Sequence, residues 1–464
     1  MHPDRQWSPD TYVSFPGSQE FEQSTERWTT FSAPTYRAAI SPATEEDVAK
    51  IVKLATCRNI PFLATSGRHG YTTTLGDLQN GLAIDLSQLN SFELDTTAET
   101  LTVGPGVTVG EVFDPLFNAG FDIQTGSAPC PSLIGVTLGG GVGRYQGVYG
   151  LIADALVSVR MVTAHGDIIE VSEDSYPDLF WGIRGAGSNF GIITSATYKL
   201  HPLTEDGDTF IAEFIVSAEG SPEYFHTLEA MQPLPAELSS IMLITSNPVT
   251  NATQTLVHWV YKGREADALA ALAPILALDI EVTAMMSVPW NEMVGAAFGG
   301  VVEEICIHNI NRDLYSFNLK NYAAETYVES FNKMHDYFME YPAGRNSVLQ
   351  FEFFPNQAME AFPQNYTAFP WRDTTGYINF NIIYDAAEEE TAAASTALGL
   401  ELRDDLVATS GFPELTVFVS YAHGDEKLEQ IYGADKLPHL AALKKEWDPL
   451  EVFSYNNGIP TEYP

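Results

Sequence analysis

Positive charge is scarce in this chain: 23 Lys and Arg face 61 Asp and Glu over 464 residues, a formal net charge of −38. A field of that sign repels phosphate backbones, which are held through Lys and Arg, and opposes docking on anionic lipid. Nucleic acid and membrane surfaces are therefore excluded as partners. Cysteine is sparse too, and Cys57, Cys130 and Cys306 cannot build a disulfide framework. No CxxC pair is present for zinc or redox work. No apolar run of about 18 residues occurs, so no helix is expected to span a membrane. The opening stretch, MHPDRQWSPDTYVSF, lacks the apolar segment of a signal peptide. Two sequons, Asn251-Ala-Thr and Asn365-Tyr-Thr, are compatible with secretion but arise readily by chance. A cytoplasmic chain is expected, with a trimmed secreted form left open. Also missing are GxxxxGK[ST], HExxH, GxSxG and GxGxxG. GxGxxxG spacing occurs from Gly104, Gly141 and Gly185; the extra residue argues against an ordinary dinucleotide-binding turn, whose glycines sit at fixed offsets.

What is present is apolar and aromatic material: 45% hydrophobic residues, with 26 Phe, 21 Tyr and 7 Trp. A disordered acidic chain would be poor in these, so the acidity belongs to the surface of a folded protein of two or three domains. Up to about residue 203, glycine punctuates strand-like runs such as LAIDL, LVSVRMVTA, IIEVS and FGIITSATYKL. Between them TEEDVAKIVKLATCRN reads as a helix opened by Thr44 as N-cap, with Val48, Ile51, Val52 and Ala55 on one face. From 208 to about 424, TFIAEFIVS, TQTLVHWVYKG, VLQFEFF, YINFNIIY and ELTVFVSY read as strands, and SPEYFHTLEAM, ADALAALAPILAL and YAAETYVESFNKMHDYFMEY as helices. That pattern is an antiparallel sheet with helices on one face. A last helix, LPHLAALKKEW, precedes the tail. Residues 1–34 form an N-terminal segment, with divisions at 35–203, 204–424 and 425–464.

Glycine is concentrated in three places: Ser66-Gly67-Arg68-His69-Gly70-Tyr71, the stretch from Gly126 to Arg144, and Arg184 to Ile192. Glycine lets main-chain amides approach a ligand closely, and successive amides make an anion nest. Tight turns alone would also use glycine.

In this order the three loops resemble the berberine bridge enzyme-like FAD-linked oxidoreductases of the vanillyl-alcohol oxidase superfamily, closest to fungal members. The resemblance rests on SGRHGYTTTLGDLQNGLAIDLSQLN, LGGGVGRYQGVYGL, FWGIRGAGSNFGIITSATYKLHP, FVSYAHGDEKLEQIYG and WDPLEVFSYNNGIP. It implies an α+β, two-domain, PCMH-type FAD-binding fold, with an antiparallel-sheet substrate domain and a C-terminal segment that returns to the FAD domain. It implies FAD with its diphosphate on the amides of Ser66, Gly67, Arg68, His69 and Gly70, and a covalent link through His69 that would raise the flavin potential. Further cofactor contacts are implied for Ser127, Ala128, Cys130, Gly135, Thr137, Leu138, Gly139, Gly140, Gly141, Gly143, Gly191, Ile192, Tyr455 and Asn457. Members with a second link carry a cysteine at an offset that falls on Ala128 here. Cys130 lies two residues late, and a single link through His69 is expected.

Tyr71 matches a flavin-proximal tyrosine of related carbohydrate oxidases. Their late Tyr-x-Asn motif corresponds here to Phe418-Val419-Ser420, which cannot supply a tyrosinate base. Other candidates come from the residues themselves. Glu352 alternates with Phe351 and Phe353 and so faces away from them, and Asn379 and Asn381 share one face of YINFNIIY. A buried carboxylate with a raised pKa suits a general base; a solvated strand face would also present these residues. His423-Gly-Asp-Glu reads as a loop and helix start rather than a metal site, and Glu388 to Glu390 as a helix N-terminal turn. The expected activity is oxidation of a small apolar or aromatic organic molecule, as in secondary metabolism, by hydride transfer to flavin N5. Reoxidation by O₂ would give hydrogen peroxide. Oxidative ring closure, a dehydrogenase using another acceptor, and a cyclase or scaffold with an idle flavin are the alternatives.

Overall fold

A computed structural model describes residues 7–385 and 387–463, with the side chains of 302 and 303 not described. The first six residues of the N-terminal segment, part of the signal-peptide reading, lie outside the described residues, as does Pro464.

Local chemistry starts the fold. Thr44 accepts a hydrogen bond from the Asp47 amide, and three acidic residues occupy the first turn of helix Glu45–Cys57. Val48, Ile51, Val52 and Ala55 are buried on its inner face against Ile40, Phe62 and Ile84. The sheet beneath contains β1 (Tyr12–Ser14), β2 (Tyr36–Ser41), β3 (Phe62–Thr65) and β4 (Gly81–Asp85), in the order β1-β2-β4-β3. β2, β4 and β3 run parallel and β1 antiparallel, so the N-terminal segment contributes a strand that the sequence reading did not assign.

β5 (Phe92–Asp95), β6 (Thr100–Val103), the two-residue β7 (Phe121–Asp122), β8 (Leu156–Val162), β9 (Ile168–Ser172), β10 (Ile192–Lys199) and the two-residue β11 (His201–Pro202) follow. Five of them form an antiparallel sheet in the order β5-β6-β10-β8-β9, and β7 pairs with β11. The chain then enters a seven-stranded antiparallel sheet: β12 (Asp208–Val216), β13 (Leu238–Ser246), β14 (Thr253–Lys262), β15 (Glu281–Pro289), β16 (Arg312–Leu319), β17 (Val348–Phe353) and β18 (Gly376–Ile383), ordered β15-β12-β14-β13-β17-β18-β16. One face buries Phe214, Trp259, Phe317, Phe351, Phe353 and Phe380 under helices Ser221–Ala230, Ala324–Glu340 and Glu389–Thr409. The other face looks toward the glycine loops.

ELTVFVSY is not a strand. It runs as an irregular segment ending in a 3-10 turn over Val419–Tyr421. The Val417 amide donates to the Gln430 carbonyl and the Phe418 amide to Asn318 Oδ1, so tertiary partners take the hydrogen bonds a strand would have used. Val417 and Ala422 join the core of the N-terminal part, together with Leu437, Leu440 and Leu443 of helix Leu437–Trp447. The tail is pinned by the buried ammonium of Lys444, which donates to Asn189 O, Asp448 Oδ2 and Phe453 O at 2.8, 2.7 and 2.9 Å.

Candidate active site

The loop after β3 is held by Arg68, whose φ is +56°; its guanidinium reaches Asp85 at the end of β4 (Nη1–Oδ1 3.1 Å). Gly67 allows the close approach of a second loop. A Cβ there would lie 2.8 Å from the Ser132 amide nitrogen and 3.3 Å from the Cys130 carbonyl oxygen. No amide of residues 67–70 or 126–128 donates to another backbone group among the described residues, and Ser127 Oγ is buried without a partner. Two runs of uncommitted amides and a buried hydroxyl, on loops that meet where Gly67 approaches Cys130 and Ser132, suit an anionic, oxygen-rich group such as a diphosphate. The residues present thus fit FAD.

His69 lies at the end of this cradle. Its ring stacks on Trp28 (5.7 Å, 28°) and meets His308 edge-on (5.6 Å). Nε2 is buried with no partner. Burial first, then the charges of His308, Arg312, Arg27 and Arg68, push its pKa down to about 3. The imidazole is therefore neutral and keeps a lone pair. Arg27 donates to Gly70 O, and Arg312 Nη1 donates to Trp28 O and Ile307 O at 2.6 and 2.9 Å. Three arginines stand around one ring, with Arg68 ion-paired to Asp85 (3.1 Å) and Glu26 (3.5 Å).

The other residues tied to the cofactor by resemblance divide into two groups. Ser66 and Gly70 belong to the first loop and Ala128 to the second. Tyr455 and Asn457 lie beside them: Thr74 Oγ1 donates to the Tyr455 carbonyl (3.0 Å) and Thr72 Oγ1 to Asn457 Oδ1 (3.0 Å). The remainder have partners within the chain. The Gly135 amide caps on Ser132 Oγ, Thr137 Oγ1 bonds Leu133 O and Tyr198, and Leu138 packs against Gly187. Gly139, Gly140, Gly141 and Gly143 have their Cα faces filled by Ser420, Phe369, Ile152 and the Thr125 carbonyl, and Gly191 by Met161 and Val162. Ile192 is a core residue.

Cys130 requires correction. Its sulfur is bonded to Cys306, which leaves no valence for a flavin thioether. Cys57 is the free, exposed cysteine. The two bonded residues are 176 positions apart, and no spacing rule pairs them.

Strand register assembles the proton-handling residues on the helix-free face of the large sheet. Glu213 on β12 faces His258 on β14, His258 faces Ile241 on β13, Ile241 faces Glu352 on β17, and Glu352 faces Tyr377 on β18. Glu352 is 2% exposed. Tyr421 Oη donates to its Oε2 (2.9 Å) and Gln350 Nε2 to its Oε1 (3.1 Å). Burial raises the Glu352 pKa to about 7, against the opposing effects of Tyr421, Arg144 and Gln350. Tyr71 Oη donates to Asn379 Oδ1 (3.2 Å), which also accepts from Ser316. The rings of Tyr71 and Tyr421 lie 6.4 Å apart and 21° from parallel. Burial pushes both phenols well above their ordinary range. Asn381 stands one row away, its Oδ1 buried without a partner.

The structure thus brings Tyr71, Glu352 and Asn379 together, separates Asn381 from them, and adds Tyr421, Gln350, Ser316, Arg144, and the pair Glu213–His258. Tyr421 follows Phe418-Val419-Ser420 directly, and the 3-10 turn there is what carries its phenol to Glu352. His423, in the same segment, is ion-paired with Asp313 (3.0 Å) and Asp425 (3.2 Å).

Comparison with known proteins agrees with this architecture. A family model described as "FAD binding domain" matches residues 36–172, and one described as "Berberine and berberine like" matches 417–460. The chain is 46% identical to the FAD-linked oxidoreductase fogF of Aspergillus ruber, over 100% of this chain and 94% of that protein. It is 45% identical to the FAD-linked oxidoreductase srdI of Neurospora crassa, over 98% and 91%. Among solved structures, Physcomitrella patens BBE-like 1 superposes with a TM-score of 0.86 at 21% identity, covering 98% of each chain. A chitooligosaccharide oxidase superposes at 0.82 with 22% identity, again over 98% of each chain.

Proposed function

From the premise that the chain belongs to the berberine bridge enzyme-like FAD-linked oxidoreductases, we propose that it is an oxidase of a small organic molecule in which Glu352 is the general base. The observation that carries this reading is the Glu352 carboxyl itself: buried, on the sheet face turned toward the glycine loops, held by two donors, and with a pKa of about 7. A base is most effective when its pKa lies near the working pH. FAD, when bound, supplies the hydride acceptor and passes the electrons to O₂, giving hydrogen peroxide.

The chain's own residues do the rest. The amides of 67–70 and 126–128 hold the diphosphate, and neutral His69 supplies the nitrogen for covalent attachment at the flavin 8α-methyl. Glu352 accepts the proton from the substrate O–H, N–H or C–H as the hydride leaves. Tyr421 and Gln350 hold the carboxylate in place, and Tyr71 and Asn379 form an adjoining polar wall. Ile241, Leu243 and Tyr377 give that face an apolar character, which suits an aromatic or apolar secondary metabolite better than a bare sugar. The idle-flavin alternative rested on Phe418, and Tyr421 with Glu352 supplies the proton chemistry that Phe418 lacks.

The test is an absorption spectrum of the purified protein, then acid precipitation of wild type and His69→Ala. Yellow colour retained in the wild-type pellet and lost in that of the variant is expected, with peroxide released when substrate is oxidised. Colourless protein that FAD cannot reconstitute would end the oxidase reading. Slow reoxidation in air would replace the oxidase by a dehydrogenase, and product analysis would show whether ring closure follows oxidation.

A further inference from the structure

Beyond opposing the rise of the Glu352 pKa, Arg144 has no role in the chemistry above, yet its position is unusual. It is 3% exposed, and its Nε and Nη1 are buried without a hydrogen-bond partner. The turn that carries it is fixed on both sides. The Tyr145 amide donates to Gln124 Oε1 (3.0 Å), Gln146 Nε2 to Phe354 O (3.2 Å), and Tyr377 Oη to Gln146 Oε1 (3.3 Å). Val142 packs in one cluster with Ile241 and Tyr377. The turn therefore lies against the row Glu213–His258–Ile241–Glu352–Tyr377.

Both carboxylates of that row are already engaged: Glu352 by Tyr421 and Gln350, Glu213 by His258 Nδ1 (2.7 Å) and the Phe298 amide. Neither hydrogen-bonds Arg144, although their charges raise its pKa against the lowering effect of burial. A dry guanidinium with open donors is costly to keep, and a planar fork of N–H groups matches an anionic oxygen. His258 stands in the same row. With Nδ1 on Glu213, its Nε2 is buried and free, and burial together with Arg144 lowers its pKa to about 4. The ring is thus neutral, with a lone pair that can accept only from a substrate hydroxyl other than the anionic oxygen.

We propose that Arg144, beside His258, anchors an anionic oxygen of the substrate, a carboxylate or an ionised phenol, and so selects aromatic acids or phenols over neutral molecules. This rests on the reading of the Glu352 face as the substrate site. The test is titration calorimetry on the full chain as purified with two matched pairs of probes: benzoate against benzamide, and para-nitrophenolate against para-nitroanisole. A charged hydrogen bond predicts that the anion binds about ten- to a hundred-fold more tightly in at least one pair, and the pair identifies the oxygen. Arg144→Met should abolish the preference and Arg144→Lys should retain part of it. Absence of preference in both pairs, non-binding included, or its survival in Arg144→Met, would overturn the proposal. The flavin absorbance is read separately. Preference in a colourless protein would keep the anchor and end the oxidase reading, and a yellow protein without preference would do the reverse.

Discussion

Replacing Glu352 by Gln keeps the size of the side chain and an acceptor for Tyr421 while removing the titrating carboxyl. Two effects of opposite sign follow. The rate of anaerobic flavin reduction by substrate should fall by about 10² to 10⁴, the usual contribution of a positioned base. Stability should rise. The folded-state pKa of Glu352 is raised from 4.5 to about 7, so between those values the native state holds a proton that the unfolded chain has released. The carboxyl therefore costs the native state progressively more as pH rises, reaching about 3 kcal/mol above pH 7. Glu352→Gln should melt at a higher temperature than wild type at pH 8 and at nearly the same temperature at pH 4. In wild type the reduction rate should climb through a midpoint near 7. Tyr421→Phe removes a donor to the ionised form, and a charged hydrogen bond is worth about 1.5–3 kcal/mol, so the midpoint should move up by about one to two pH units. Stopped-flow flavin bleaching across pH, with melting curves on the same samples, reads all three. An unmoved or lowered midpoint in Tyr421→Phe, or a Glu352→Gln enzyme that is destabilised at pH 8 and reduced at the wild-type rate, would refute the assignment.

Three further outcomes are expected. Gly67→Ala places a methyl group 2.8 Å from the Ser132 nitrogen, so loops 66–70 and 126–132 must part. Flavin content should fall at a wild-type far-UV spectrum, and full flavin loading would contradict the facing-loop cradle. Denatured, unreduced protein should titrate one thiol, from Cys57, and three after reduction; three before reduction, or a flavin-bearing peptide containing residue 130, would contradict the Cys130–Cys306 bond. His423 is held protonated by Asp313 and Asp425 against burial, with its pKa raised to about 9. Its contribution is complete below pH 6.5 and is lost as pH rises through about 9. His423→Gln should remove on the order of 2–3 kcal/mol of stability at pH 6 and almost none at pH 10, as read by chemical denaturation. An equal loss at both values would contradict the ion pairing.

What could be read from the sequence was local. Thr44 announces its helix because an N-cap hydroxyl and acidic first turn act within four residues, and helix Leu437–Trp447 has its observed limits in the apolar spacing of LPHLAALKKEW. Glu352 could be singled out because alternation alone turns it away from Phe351 and Phe353. Tyr421 could not, since ELTVFVSY alternates as a strand does, and only the competing bonds from Asn318 and Gln430 turn it into the segment that delivers a phenol to Glu352.

Pairings across the chain depend on register, which a single sequence does not print. Tyr71 meets Asn379 across 308 residues, and Glu213 meets His258 because β12 and β14 pair with those residues opposed. A shift of one residue would send Glu213 to the aromatic face under the helices. The same dependence explains Arg144. As a residue in a glycine-rich stretch it reads as part of a loop that approaches a cofactor. Its significance lies in what it does not touch, and that is decided by the side chains of β12, β14 and β17. The carboxylates it faces are saturated by Tyr421, Gln350, His258 and the Phe298 amide. The site therefore has one cation more than its own hydrogen bonds use. In a chain of net charge −38, the long-range field does not draw anions in. Selection of an acidic substrate by Arg144 then acts at contact, through the unpartnered donors of a buried guanidinium.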